Sequence, residues 1–388
     1  MSLPTAQRPD HDVAVIGGGV IGLSVAWAAL RRGLRVLVLD RGEPEASATH
    51  VAAGMLAPTS EAAHGEEALL TLGLASARRY GEWCANLAQA SGLDPGLRRC
   101  GSLMLARDRD EAEALERELA YRESLGLAVR RLRPTEGRRL EPALAPALRL
   151  ALEIPDDHAI DPRSLTAALG AAVRAAGGEV RSDAEVASLA CSDERVNGVT
   201  LASGERISAD RVVVAAGAWA AQLAGLPEHA RVPVRPVKGQ ILRLRDPAGP
   251  GLISRVLRLA DGYLVPRGDG RYVLGATVEE RGWDLKPTAG GVFELLRAAR
   301  EALPGVDEWI VEEISAGLRP GTPDNSPLLG PGELEGLYWA TGHYRGGVLL
   351  APITGEVLGA ALRGEPVPPE AAPFSPGRFT RAREAVGV

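Results

Sequence analysis

The sequence predicts an α/β protein that combines a Rossmann-like nucleotide-binding domain with an inserted second domain built mostly on an antiparallel sheet. Three observations support this prediction. A strand, helix and strand with a glycine fingerprint occupy residues 12–40, and apolar strands then alternate with amphipathic helices up to residue 219. From residue 234 to residue 276, strands follow one another without helices between them. Alternation is typical of a doubly wound parallel sheet, whereas uninterrupted strands favour antiparallel pairing.

Residues 12–40 contain the parts of a dinucleotide-binding unit in the expected order. The apolar segment Val13–Ile16 predicts a buried strand, and a second strand, Arg35–Leu39, ends at the acidic Asp40. The G-x-G-x-x-G glycines between them are Gly17, Gly19 and Gly22. The first glycine permits a tight turn, the second lets the backbone approach a pyrophosphate, and the third lets the helix pack closely on the strand. Because a carboxylate after the second strand can bind ribose hydroxyls, the unit predicts a nucleotide cofactor.

Composition and charge argue against several other classes of protein. Val13–Leu30 carries no charge, but its glycines cluster where a turn is needed, so we reject a transmembrane helix there. A formal net charge of −6 without a basic cluster disfavours nucleic acid as a partner. Met1–His11 lacks the apolar segment of a leader, so we expect a cytoplasmic protein without a membrane partner. The three cysteines are widely separated and predict neither disulfides nor a metal site.

Periodicity places the remaining elements. The predicted helices are Leu69–Ala90, Asp110–Leu125 and Asp161–Ala176. The predicted strands of the alternating part are Glu179–Val186, a hairpin of Val196–Leu201 with Arg206–Ser208, and a fourth strand, Arg211–Ala215. The predicted strands of the second sheet are Gly239–Leu244, Arg255–Leu259, Gly262–Pro266 and Tyr272–Ala276. That sheet and the helix from Asp110 do not fit a doubly wound core, so we assign them to a second domain made from insertions.

Several blocks, taken together and in order, carry a family resemblance over nearly the whole chain. Besides the fingerprint they are AAGMLAP at 52–58, VAAGAW at 214–219, GYLVPR at 262–267, AGLRPGT at 316–322 and GHYRGGVLLAP at 342–352. The chain resembles the D-amino-acid-oxidase-like family of FAD-dependent amine oxidoreductases, and most of all its glycine-oxidising branch. The resemblance implies an FAD-binding domain at 1–85, 155–230 and 325–388, and a substrate-binding domain at 86–154 and 231–324.

The resemblance also implies the cofactor and the residues that hold it. FAD is expected to be noncovalent, because no cysteine follows Cys191 near the position at which some relatives attach flavin. The implied FAD positions are Gly17, Gly19, Val20, Ile21, Gly22, Asp40, Arg41, Ala48, Thr49, Ala53, Gly54, Met55, Val180, Gly217, His343, Tyr344, Arg345, Gly346, Gly347, Val348 and Leu349. In the last of these segments, a glycine-rich turn into a helix would present N–H groups to the flavin edge that becomes negative on reduction.

For the substrate, the resemblance implies that Arg319 grips the amino-acid carboxylate, with Tyr263 beside it and Arg345 nearby. A guanidinium suits this role because it can make two parallel charge-assisted hydrogen bonds to a carboxylate. No dedicated general base is expected, and His343 is interpreted as a flavin contact. Two positions depart from the family pattern: His50 replaces a small hydroxyl residue, and Asp261 replaces a histidine.

The activity implied by the resemblance is oxidative deamination of glycine or another small amino acid. Hydride transfer from Cα to flavin N5 would give an imine, then a 2-oxo acid and ammonia, while dioxygen would be reduced to hydrogen peroxide. The product would serve thiazole synthesis in the thiamine pathway, and the chain could form a homo-oligomer. The alternatives are a D-amino-acid dehydrogenase, a sarcosine-type oxidase and, outside the enzymes, a flavin-binding RNA-associated or regulatory module.

Overall fold

The computed structural model describes residues 11–42 and 47–379. Met1–Asp10, on which the expectation about a leader segment depends, lies outside the described residues. The described helices are α1 (Val20–Leu30), α2 (Ala48–Val51), α3 (Glu67–Ser91), α4 (Arg109–Ser124), α5 (Pro134–Leu140), α6 (Pro162–Ala175), α7 (Ala289–Ala302) and α8 (Ala351–Arg363). Within these ranges, no helix has both the length and the apolar composition needed to cross a membrane.

The strands belong to two large sheets and one small one. They are β1 (His11–Ile16), β2 (Val36–Leu39), β3 (Met55–Leu56), β4 (Leu97–Arg98), β5 (Ser102–Ala106), β6 (Arg130–Leu132), β7 (Leu150–Ile154), β8 (His158–Ile160), β9 (Glu179–Arg181), β10 (Val186–Ser192), β11 (Arg195–Leu201), β12 (Arg206–Val214), β13 (Arg235–Arg245), β14 (Val256–Leu259), β15 (Gly262–Pro266), β16 (Arg271–Gly275), β17 (Ile310–Gly321), β18 (Leu328–Pro331) and β19 (Leu337–Thr341).

The first large sheet is centred on β1, which pairs in parallel with β2 on one side and β12 on the other. β9 extends the sheet beyond β2, and β19 pairs in parallel with β12. Val13 and Val15 pack into one hydrophobic core with α1, α6 and α8, while Ala14 and Ile16 pack into a second core on the opposite face. Successive side chains of a strand point to opposite faces, so both faces are covered, as the apolar sequence of β1 predicts.

Two strand predictions in this part of the chain are wrong in detail. The two predicted strands, Arg206–Ser208 and Arg211–Ala215, are replaced by a single strand, β12, which runs from Arg206 to Val214. The first half of β12 pairs antiparallel with β11 and the second half pairs in parallel with β1, so one strand serves both a hairpin and the central sheet. Glu179–Val186 is interrupted instead of continuous, because Asp183 has a positive φ of 57°, which ends β9 before β10 begins.

The second large sheet has the order β17-β13-β16-β15-β14-β5-β7-β6. Its neighbouring strands run antiparallel except for the parallel pair β14 and β5, which confirms the predicted mostly antiparallel sheet. α4 packs against β5 and β7 of this sheet, away from the first one. The strands of the second sheet come from two separate stretches, 102–154 and 235–321. The boundaries of the two domains stay a prediction.

Candidate active site

A cavity of about 790 Å³ is lined by residues from both large sheets and from the loops between them. All three predicted substrate-binding residues line it. So do the predicted cofactor positions, with two exceptions, Gly22 and Val180. Val180 lies on β9 in register with Val38 of β2, and the neighbouring residues 184–187 line the cavity instead. The structure therefore brings together residues that lie far apart in the sequence, although the role of each stays a prediction.

The fingerprint glycines form one wall of the cavity. Gly17 has a φ of +107°, and a Cβ atom there would lie 2.5 Å from the carbonyl oxygen of Ala215, so only glycine fits this turn. Gly22 faces inward, where a Cβ atom would lie 1.9 Å from the oxygen of Gly17. The backbone N–H groups of Gly19 and Ile21, at the start of α1, find no acceptor among the described residues. These donors and the positive end of the helix dipole make the wall suitable for a pyrophosphate.

Asp40 has a structural task that the sequence did not reveal. One carboxylate oxygen accepts a hydrogen bond from Gly18 N–H at 2.7 Å, and the other accepts one from Gly42 N–H at 2.9 Å. The carboxylate therefore ties the glycine turn to the end of β2, while keeping lone pairs that a ribose could use. Beside it, the Arg41 guanidinium stacks 3.9 Å from the ring centre of Trp219, and both residues line the cavity.

The segment before β3 is held by hydrogen bonds between side chains and the backbone. Thr49 Oγ1 accepts a hydrogen bond from Val20 N–H at 3.2 Å, joining α2 to the start of α1. The carbonyl oxygen of His50 accepts hydrogen bonds from Arg163 and Arg243, but the residue does not line the cavity. Gly54 has a φ of +78°, and a Cβ atom there would lie 2.0 Å from Ile160 O. His50, the first departure from the family pattern, therefore lies outside the cavity lining.

The turn between β19 and α8 supplies a second set of free donors. The N–H groups of Gly347, Val348 and Leu349 have no acceptor in the described parts of the chain, and all three residues line the cavity. His343, at the start of this turn, is buried and contacts Thr354 Oγ1 through Nε2 at 3.0 Å. Burial lowers the pKa of His343 to about 3, so the imidazole is neutral near pH 7.

Arg319 and Tyr263 approach each other from β17 and β15 of the second sheet. The Arg319 guanidinium donates to the carbonyl oxygens of Thr277 at 3.0 Å and Lys238 at 3.2 Å, and within the described residues it pairs with no carboxylate. Burial raises the pKa of the Tyr263 hydroxyl, although the nearby charge of Arg319 acts in the opposite direction. The phenol is therefore protonated at neutral pH, and the arginine retains its capacity for an incoming anion.

Arg345, the third predicted substrate residue, is already paired. It contacts Glu66 at 2.6 Å and Glu61 at 3.5 Å. Glu61 also binds Arg258 at 2.8 Å, and both of these residues line the cavity. Sequence reasoning missed Glu61 and Arg258 because a single charged residue in a loop or at a strand edge resembles any solvated surface charge. Asp261, the second departure from the family pattern, also lines the cavity.

The cavity fits FAD by three features of this structure. It is long enough to reach from the start of α1 to the start of α8, and free backbone N–H groups lie at both ends. At the α1 end, a Cβ atom on Gly17 or Gly22 would clash with neighbouring backbone atoms. When a flavin is bound, donors near α8 would face the edge that gains negative charge on reduction, and donors near α1 would face the pyrophosphate.

Comparison with known proteins agrees with this geometry. Residues 12–361 match the family model described as FAD dependent oxidoreductase. The chain is 37% identical over 379 residues to the bifunctional protein ThiO/ThiG of Synechocystis sp., covering 96% of this chain but 55% of that protein. It is 35% identical over 382 residues to glycine oxidase of Geobacillus kaustophilus, covering 97% of this chain and 99% of that enzyme. The chain thus spans about half the length of the bifunctional relative.

Solved structures give the same result for the fold. The crystal structure of the Geobacillus kaustophilus glycine oxidase superposes with a TM-score of 0.86 at 32% identity, covering 96% of this chain and 99% of that one. Iminodiacetate oxidase from Chelativorans sp. superposes with a TM-score of 0.85 at 33% identity, covering 94% of this chain and 98% of that one. With the family match over most of its length and the cavity described above, this chain belongs to the family of FAD-dependent oxidoreductases that the D-amino-acid oxidases typify.

Proposed function

We propose that this protein catalyses the FAD-dependent oxidation of glycine or another small amino acid, with dioxygen as the electron acceptor. The observation that supports it best is the state of Arg319, which lines the cavity beside Tyr263 without a carboxylate partner among the described residues. A guanidinium in this position is suited to the carboxylate that all amino acids share. The relatives named glycine oxidase and ThiO/ThiG favour glycine as the substrate.

In this proposal the chain contributes binding and orientation. Arg319 holds the substrate carboxylate by two hydrogen bonds, and the Tyr263 hydroxyl donates a third. FAD held in the cavity would supply the two-electron oxidation at Cα that converts the amino acid to an imine. Water hydrolyses the released imine to a 2-oxo acid and ammonia, and dioxygen takes up the two electrons as hydrogen peroxide. No general base is required if the substrate amine is neutral when it reacts.

The N–H groups of Gly347, Val348 and Leu349 have an electrostatic task in this reaction. They are fixed in a turn before α8, so they require little reorganisation when negative charge develops nearby. Donors of this kind would stabilise negative charge on a flavin held there and so favour its reduction. The thiamine-pathway role that the family resemblance implies belongs to the same proposal, as does the choice of dioxygen over another acceptor.

The experiment that tests the proposal is an anaerobic absorbance titration of the purified holoprotein with glycine, sarcosine and D-alanine, followed by admission of air. We expect glycine to bleach the flavin band at about 450 nm, a general property of flavins, and air to restore it with formation of hydrogen peroxide. A flavin that bleaches but does not recover in air would indicate a dehydrogenase. A flavin that none of the three amines bleaches would overturn the proposal.

A pair of arginine variants tests the assigned residue. Arg319→Met should retain FAD and lose most of the glycine-dependent bleaching at any accessible glycine concentration. Arg235→Met is the matched control, because Arg235 lies on the neighbouring strand β13, donates to Thr322 O and pairs with Glu280, and does not line the cavity. Equal activity of the two variants would contradict the role of Arg319.

A further inference from the structure

A group of four charged side chains, which we call the Glu61 cluster, lies at the cavity beside the proposed substrate site. Glu61 pairs with Arg258 at 2.8 Å and with Arg345 at 3.5 Å, and Arg345 also pairs with Glu66 at 2.6 Å. The cluster contains two positive and two negative charges, so its formal charge is zero. Glu61 is the carboxylate that contacts both guanidinium groups.

Three members of the cluster line the same cavity as Arg319 and Tyr263. Their proximity to the substrate site has an electrostatic signature, since the charges of Glu61 and Arg258 both act on the pKa of the Tyr263 hydroxyl. Arg258 also lies opposite Tyr263 in the antiparallel pairing of β14 with β15. A substrate held by Arg319 would therefore have the Glu61 cluster within reach of any second charged group that it carried.

The loop that carries Glu61 is fixed by two buried residues from other elements. Asp157 is fully buried and accepts hydrogen bonds from the N–H groups of Thr59 at 3.1 Å and Ser60 at 2.8 Å. Arg122 is only 1% exposed and donates to the carbonyl oxygens of the same two residues at 2.9 and 2.7 Å. Donors and acceptors of the loop backbone are thus held from both sides. Glu61 follows immediately, so its carboxylate has a defined place against the two arginines.

We propose that Glu61 sets the charge selectivity of the substrate site: by occupying Arg258, it withholds that guanidinium group from a second substrate carboxylate, while Arg345 has Glu66 as a further partner. The enzyme then favours amino acids whose remaining substituents are small and neutral over amino dicarboxylates. This inference rests on the proposed function for the identity of the site. It goes further by assigning discrimination among substrates to a carboxylate that does not bind the substrate backbone.

The physical reason is competition for the same donors. A second substrate carboxylate must displace Glu61 from Arg258 or remain without a cationic partner of its own, and either costs free energy. Replacing Glu61 by glutamine keeps the shape of the side chain and removes the charge. Arg258 then loses the ion-pair partner described above and can serve an anion from the substrate. A single charge-assisted hydrogen bond changes affinity by about tenfold or more, so we expect a gain for dicarboxylates of at least tenfold.

The test compares Glu61→Gln with the wild-type holoenzyme in two assays. In the first, kcat/KM is measured for glycine and for iminodiacetate, which carries its second carboxylate on the amine substituent. In the second, binding of glutarate and butyrate is measured from the change that they cause in the flavin spectrum. Glutarate has the shape of iminodiacetate but cannot be oxidised as an amine, and butyrate lacks its second carboxylate. We expect the variant to raise both the iminodiacetate-to-glycine ratio and the glutarate-to-butyrate affinity ratio at least tenfold.

A matched control is Glu313→Gln. Glu313 also lies between two arginines, with Arg163 at 2.8 Å and Arg243 at 3.5 Å, but it does not line the cavity. This variant should leave both ratios unchanged. Adding Arg258→Met to the Glu61 variant should abolish the gain. Arg258→Met alone, which leaves Glu61 less neutralised, should weaken glutarate binding relative to butyrate, and it gives a second test if the Glu61 variant does not fold.

The outcomes separate this inference from the proposed function. A folded, FAD-containing Glu61→Gln protein that binds glutarate no more tightly than the wild type would overturn the role of Glu61. So would a gain that persists without Arg258. If the wild type oxidises no amine, the proposed function fails, but the comparison of glutarate with butyrate still reports on Glu61 because it requires no turnover.

Discussion

Gly239 is the position where a small change should test the substrate site most directly. It lies on β13, lines the cavity and pairs in register with Gly317 of β17. A Cβ atom on Gly239 would lie 2.4 Å from both terminal nitrogens of Arg319 and 2.5 Å from Cζ. Because the backbone at Gly239 is not in the left-handed region, Gly239→Ala adds a methyl group against the guanidinium without imposing backbone strain.

The expected effect follows from that distance. Ordinary contact with a Cβ atom begins at 3.4 Å, so the guanidinium must retreat by about 1 Å (3.4 − 2.4). Such a shift misaligns one of the two hydrogen bonds that a carboxylate would receive, and charge-assisted hydrogen bonds are worth about 1.5–3 kcal/mol each. We therefore expect kcat/KM for glycine to fall roughly 10- to 150-fold. The loss should appear mainly as weaker substrate binding.

The assay is stopped-flow reduction of the flavin by glycine under anaerobic conditions, which separates the substrate Kd from the rate of reduction. The matched control is Gly321→Ala, at the end of β17. A Cβ atom there would lie 3.0 Å from the Arg235 guanidinium, which is outside the cavity lining. The control should leave both parameters unchanged.

Two results would refute the reasoning. A Gly239→Ala protein that contains FAD and retains the wild-type Kd for glycine would show that Arg319 is not the carboxylate site. Loss of FAD, with normal substrate binding in the fraction that keeps it, would show that Gly239 makes room for the cofactor rather than for Arg319.

Three further predictions concern the cofactor and the framework. Gly19→Val should prevent FAD binding, because the side chain would block the approach of the pyrophosphate to the start of α1. Even a Cβ atom there would lie 3.2 Å from Thr49 Oγ1. A variant that purifies yellow would contradict this prediction. Burial lowers the pKa of His343 from 6.5 to about 3, so below pH 6.5 the unfolded chain binds a proton that the folded chain does not. Between pH 7 and pH 5, the free energy of unfolding of the wild type should therefore fall by about 2 kcal/mol more than that of His343→Gln. The measurement is urea denaturation of both proteins with the same excess of FAD. Parallel pH profiles of the two proteins would contradict this prediction. Arg122→Met should lower the free energy of unfolding by about 3 kcal/mol in the same assay, because the carbonyl groups of Thr59 and Ser60 would lose a buried donor. An unchanged denaturation midpoint would show that Arg122 does not stabilise this loop.

The nucleotide-binding unit could be predicted because its determinants are local. The strand, the three glycines and Asp40 lie within one short stretch, and each acts through backbone geometry that its neighbours in sequence fix. The boundaries that failed depend on pairing with distant strands. β12 continues through Ala209 and Asp210 because β11, β1 and β19 pair along its length, which no periodicity in residues 206–214 indicates.

The sequence by itself determined the fold class, the cofactor and the identity of Arg319 and Tyr263 as candidates, through motifs that are each contiguous in the chain. Only the tertiary structure decided which charges of the cavity are already paired. Glu61 meets Arg258 and Arg345 from distant parts of the chain, whereas Arg319 donates to carbonyl groups and pairs with no carboxylate among the described residues. The physical reason is that an arginine's capacity for an anion depends on its neighbours in space, and charges distant in sequence become neighbours only when the two sheets form one cavity.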